Sequence, residues 1–161
     1  MKKLFVTIAC AMLMCACGRD TLADEERTFD GGVWNRFTPE VYTIDVENAD
    51  EYYNIDLTVS VDTALMRGTT LPLTVNLYSP EGERRMFYSS IALVKGGRWR
   101  GESVVGHAGR RMVTGRIRAF FTFNRQGEHR LEICQATSQY DLEGIHTLHL
   151  TIEKADLPEI K

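Results

Sequence analysis

The stretch YNIDLTVSV, residues 53–61, decides the fold class. Tyr53, Ile55, Leu57, Val59 and Val61 alternate with Asn54, Asp56, Thr58 and Ser60. A period of two puts successive side chains on opposite faces of an extended chain, whereas a helix needs a period near 3.6. One apolar and one polar face predict a half-buried antiparallel strand.

The same period recurs on both sides. VYTIDVE groups Tyr42, Ile44 and Val46, and LPLTVNLY groups Leu71, Leu73, Val75 and Leu77. Pro72 falls near the start of that strand, where a missing donor is tolerated. RIRAFFTF aligns Ile117, Ala119, Phe121 and Phe123; HRLEI offers Leu131 and Ile133; TLHLTIE aligns Leu148, Leu150 and Ile152. Turn residues separate the runs: SPEGE at 79–83, KGGRWRG at 95–101, and NRQGE at 124–128, which reads as a hairpin. DEYYN and ATSQYDLEG each have room for a single helical turn. About seven to nine strands with one face buried predict two packed sheets: an all-β antiparallel β-sandwich, jelly-roll-like or immunoglobulin-like.

The 161 residues fit one domain, which can bury roughly two-thirds of its unfolded surface without disulfides or metals. The start differs from the rest. Lys2 and Lys3 precede an apolar run from Leu4 to Met14 that is broken only by Thr7. That is a secretory signal, and its run is too short for a bilayer, which takes about 20 residues. It ends in Met14-Cys15-Ala16-Cys17-Gly18, a lipobox-like sequence with small Ala16 before the cysteine. Residues 1–16 are therefore expected to be a lipoprotein signal peptide. Cys17 would become the N-terminus, carrying diacylglycerol and an N-acyl chain such as palmitate; two or more chains give stable anchoring. A plain signal peptide cut further on is the alternative. Residues 17–30 hold five acids and two arginines and read as the lipidated cysteine with a solvated tether, leaving 31–161 as the sandwich. Cys134 is then the sole mature thiol, so no internal disulfide or cysteine-based zinc site is possible, and a buried inert thiol is expected.

The order of motifs resembles the GldH family of gliding motility-associated lipoproteins of the Bacteroidota. The matching stretches are FDGGVWNRF with Trp34, YNI at 53–55, the SPEG turn, GGRWRGE with Trp99 and Gly101, Gln135, and LEGI at 142–145. After Gln135 the chain has ATSQ, where the family pattern leads to an arginine. The resemblance covers nearly the whole mature chain. It implies an outer-membrane lipoprotein tied to gliding and type IX secretion machinery, with no catalytic site to carry over.

No catalytic motif is present: no G-x-S-x-G, H-E-x-x-H or phosphate loop. No metal or cofactor is expected. His146 and His149, three apart on a strand, point to opposite faces; His107 lies in a glycine-flanked loop and His129 begins a strand, so surface or strand-end roles are expected. Trp34 and Trp99 could serve as stacking platforms, with Trp99 the candidate aromatic contact and core packing the alternative. From Lys95 to Arg118 the chain carries Arg98, Arg100, Arg110, Arg111, Arg116 and Arg118 against Glu102 alone. If Arg116 and Arg118 share a face and meet Arg98 and Arg100, the patch would attract acidic glycan, phosphate head groups or an acidic protein. A solvated face balanced by other strands is the bland reading. The expected partners are the bilayer through Cys17 and other envelope motility or secretion proteins; the compartment argues against nucleic acid. Periplasmic facing is preferred over the cell surface, because GRDT after Cys17 lacks an acidic run. The alternative function is a glycan- or ligand-binding sandwich lipoprotein.

Overall fold

The computed structural model describes residues 20–156. Cys17 and the expected signal peptide lie outside them. Among the described residues the order is β1 (Thr21–Thr28), a 3-10 turn (Asp30–Gly32), β2 (Val33–Asn35), β3 (Glu40–Val46), β4 (Tyr53–Asp62), β5 (Thr70–Tyr78), β6 (Arg84–Ala92), β7 (Val94–Lys95), β8 (Arg98–Trp99), β9 (Glu102–Ser103), β10 (Arg110–Phe121), β11 (Gly127–Gln135), β12 (Asp141–Glu143) and β13 (Ile145–Lys154).

The molecule is an all-β sandwich. One sheet runs β1-β13-β4-β10-β9 and the other β3-β11-β5-β6, with every pairing antiparallel. The thirteen strands exceed the seven to nine expected, because five of them are only two or three residues long. The other eight, numbered one to eight along the chain, form one sheet in the order 1-8-3-6 and the other in the order 2-7-4-5. That is the jelly-roll arrangement of two Greek keys. The immunoglobulin-like alternative is set aside, because the last strand inserts between the first and third.

The alternation read from residues 53–61 is realised in the structure. Ile55, Leu57, Val59 and Val61 are buried, facing a core that includes Tyr42, Ile44, Leu73, Val75, Leu131 and Ile133 from the other sheet. Each such aliphatic side chain contributes roughly 1.5–3 kcal/mol of transfer free energy on burial. Pro72 is paired with Ser90 of β6, while pairing to β11 begins only at Leu73. Its missing N–H therefore leaves the central ladder intact.

Four expectations are corrected. Residues 21–28, read as tether, form β1, which pairs with β13 from Thr21 to Thr28. Its inward positions are buried Ala23 and half-buried Glu25 and Arg27, and charges on the core-facing side hid the alternation. Inward charges also protect a sheet edge from adding further strands. The NRQGE turn does not close a hairpin. It crosses from β10 in one sheet to β11 in the other. The alignment of Ile117, Ala119, Phe121 and Phe123 is broken, because the register slips between Arg116 and Arg118 and again before Phe121. Ala119 is exposed as a result, and Phe120 takes φ 49°. Finally, the helical turn forms at Asp30–Gly32, not in DEYYN or ATSQYDLEG.

Candidate functional site

β6 is an edge strand: β5 pairs with one side of it, and no strand pairs with the other among the described residues. Its alternation splits two jobs. Arg85, Phe87, Ser89 and Ile91 face the other sheet, and Arg84, Met86, Tyr88 and Ser90 face solvent. The inward row is fastened to β10 and the segment after it. Arg85 donates to the carbonyls of Thr122 (3.1 Å) and Phe123 (2.9 Å), and Ser89 Oγ donates to Ile117 O at 3.2 Å. Phe87 meets Phe121 at 6.1 Å between ring centroids. Gly115 lets the sheets approach, since a Cβ there would sit 2.9 Å from the Ile91 side chain. The outward row is left bare, with Tyr88 73% and Met86 50% exposed.

The expected basic patch does not assemble. Arg116 is bidentate to Asp56, with both contacts at 2.9 Å. Arg118 lies opposite inward-facing Ile55, because the bulge inserts an extra residue, and its guanidinium stands 5.5 Å from the Phe87 centroid. The two arginines therefore do not share a face. Arg100 donates to Ala92 O at 3.2 Å and Arg111 to Gly101 O at 3.0 Å, holding the corner before β9. Arg98 sits on the β7–β8 hairpin, whose Gly96 and Gly97 take φ 58° and 73°. Arg110 is half-buried at the start of β10. Among the described residues neither Arg98 nor Arg110 reaches a carboxylate.

The aromatic candidates also move. Trp34 is buried, with its indole N–H donating to Thr38 O at 3.3 Å. Trp99 is half-buried and packs against the core, so neither is an open platform. The most exposed rings are instead Tyr88, Phe37 (72%) and Tyr140 (65%). A signal for Tyr88 was available, since it falls in the polar phase of RRMFYSS between Met86 and Ser90. Phe37 and Tyr140 stand among turn-forming residues, where no period marks a side chain as exposed.

An open depression of about 500 Å³ lies on the outer face of the five-stranded sheet. Thr58, Met112, Thr114 and His149 contribute to it, with Arg100 and Glu102 also lining it. Thr58 Oγ1 is hydrogen-bonded to Thr114 Oγ1 at 2.7 Å, and His149 pairs with Asp24. The hydroxyl of Thr58 is thus engaged by a second hydroxyl, not by the imidazole.

His129 is fully buried, not at the surface or the strand end, because it is the third residue of β11 and faces inward against Phe123 at 5.1 Å. Burial holds its pKa below the usual value, as it does for half-buried His146. Half-buried Cys134 has its thiol pKa raised, first by burial and then by Glu132 and Glu40. Among the described residues no group of three or more His, Cys, Asp or Glu side chains is placed to hold a metal ion. No family model matches the chain, and no curated protein or solved structure matches it either.

Proposed function

We propose that this chain is a non-catalytic outer-membrane lipoprotein, a component of a cell-envelope assembly associated with gliding motility or type IX secretion. Cys17 would carry the lipid that fixes its location, and the sandwich would make the protein contacts. The lipobox-like Met14-Cys15-Ala16-Cys17 and the ordered motifs from Trp34 to Ile145 support the reading.

The observation that carries the protein-contact part is β6. It is a nine-residue edge strand whose charges stop at Arg85, beyond which Met86 and Tyr88 stand in solvent. Edge strands ordinarily carry blunting devices, and β1 carries them as Asp24, Glu25, Glu26 and Arg27. On β6 the charged residues are confined to Arg84 and Arg85 at one end, and the uncharged stretch from Met86 to Ala92 is the kind of edge an added partner strand uses.

The test uses full-length protein expressed in its own host. Intact mass is expected to show acyl chains on Cys17, and Cys17→Ala is expected to leave the membrane fraction. A photo-crosslinking residue at Tyr88 is expected to capture a discrete envelope protein, while one at Thr43, on the opposite edge strand, is not. A water-soluble, acyl-free mature chain, or equal capture from both positions, overturns the proposal.

A further inference from the structure

A second surface lies where β2 and β12 pair. Trp34 and Leu142 face each other in that ribbon and are both buried, so its base is anchored in the core. Beyond the ribbon's end the chain continues as Arg36-Phe37 on one side and Tyr140 on the other. The Phe37 and Tyr140 rings stack with centroids 5.6 Å apart and planes at 29°. Both remain largely exposed. The Arg36 guanidinium carbon lies 5.6 Å and 5.9 Å from the two centroids.

The pair is held rigidly. Arg36 N–H donates to Tyr140 O at 2.8 Å, Phe37 N–H to Asn35 Oδ1 at 2.9 Å, and Asn35 Nδ2 to Asp141 Oδ1 at 2.6 Å. The hub is Gln135, which is 2% exposed. Its Nε2 donates to Gln139 O at 3.0 Å and makes longer contacts to Trp34 O and Tyr140 O, both 3.4 Å. Its Oε1 accepts from Thr137 N–H and Oγ1. A buried amide thus clamps both segments that carry the rings. Such pre-organisation lowers the entropy lost on binding.

One residue from Tyr140, Gln139 enters a depression of about 330 Å³ that is lined also by Arg67 and Ser138 and by apolar Met66, Pro72 and Leu142. That volume is within the roughly 300–1,000 Å³ typical of small-ligand sites. Among the described residues, Arg36 and Arg67 have no carboxylate within ion-pair distance. The surface therefore combines open π faces, hydroxyl and amide groups, and two uncompensated guanidinium groups.

We propose that Phe37 and Tyr140, with Arg36 and Arg67, form a binding site for an acidic saccharide. Ring faces carry partial negative charge, which suits the partly positive C–H face of a pyranose. A guanidinium fork matches a carboxylate in a bidentate way. A neutral peptide would also use the rings, but it would leave both guanidinium groups unmatched. The site is separate from β6 and does not depend on the assembly reading.

The test is calorimetry of the full chain in detergent with tetragalacturonate, a neutral cellotetraose control, and a proline-rich decapeptide. Tetragalacturonate is expected to bind at least about tenfold more tightly than cellotetraose. Phe37→Ala with Tyr140→Ala is expected to abolish binding of both sugars. Arg67→Gln is expected to weaken the acidic sugar and leave the neutral one unchanged. Ligand-observed saturation-transfer NMR on the wild-type chain checks the sugar contact without any variant. The proposal is overturned if neither sugar binds, if the two bind equally, if the decapeptide alone binds, or if affinity survives removal of both rings.

Discussion

Arg85 of β6 stands with its guanidinium carbon 4.6 Å from the ring centroid of Phe121, which belongs to the opposite sheet. The same guanidinium caps the carbonyls of Thr122 and Phe123 where β10 ends. On the other flank Arg27 of β1 does the equivalent, donating to Val41 O at 3.2 Å and standing 4.8 Å from the Tyr42 centroid. An inward arginine thus closes each open side of the sandwich. Arg85→Met keeps the apolar stem but strips both carbonyls and the cation–π contact. It is expected to cost about 2 kcal/mol and to lower the melting temperature by roughly 5 °C. Arg85→Lys is expected to recover only part of this, since one ammonium cannot reproduce the fork. Thermal unfolding followed by circular dichroism checks both.

Gly101 takes φ 74°, and a Cβ there would lie 1.9 Å from Met112 O, a backbone atom. Gly97 has nearly the same φ, 73°, with nothing within 4 Å of its ideal Cβ position. Gly97→Ala therefore measures the left-handed backbone cost alone, on the order of 1–2 kcal/mol. Gly101→Ala is expected to cost more and to raise amide exchange in β9 and the start of β10. Equal costs for the two would show that the segment relaxes away from Met112.

A chain beginning at residue 31, the sandwich boundary expected from sequence, lacks β1. It would bare the edge of β13 and remove both Ala23 and the Arg27 seal over Tyr42. Losing an eight-residue strand ladder is expected to cost on the order of 4 kcal/mol or more. A chain beginning at residue 20 is expected to melt cooperatively, and the shorter chain to aggregate or to melt far lower. Size-exclusion chromatography and calorimetry separate the two outcomes.

Buried His129 accepts little charge: burial dominates, and Arg85 adds repulsion, against the contact to Gly127 O that favours the charged ring. The unfolded chain, with a pKa near 6.5, binds the proton more readily than the folded one. The neutral ring's contribution to stability is therefore complete above that value and declines as pH falls toward the depressed folded pKa. His129→Leu is expected to lose less stability than wild type between pH 7 and pH 5. Denaturant midpoints at both pH values measure the difference. An identical pH dependence in the variant would assign the acid sensitivity to other groups.

Most of the sandwich was legible because strand facing is a local property. Ile55, Leu57 and Val59 announced their buried side by alternation, and Gly82 in SPEGE announced its turn by needing φ 84°. The site was far less legible. Arg116 and Arg118 look equivalent in sequence, and a one-residue bulge sends one to Asp56 and the other over Phe87. Phe37 and Tyr140 are about a hundred residues apart, and neither belongs to a periodic run. Gln135, which clamps the segments carrying them, resembles any strand-end amide until its partners are in place.

By itself the sequence determined that the chain is built of strands with one apolar face, since backbone geometry sets which way each side chain points from its position alone. The tertiary structure decided the jelly-roll order, the inclusion of residues 21–28, the dispersal of the arginines and the meeting of the exposed rings. Each of these depends on partners brought together across long stretches of chain, as Asp24 and His149 are across 125 residues. Such pairings are chosen by the packing of the two sheets as a whole, and no local pattern encodes them.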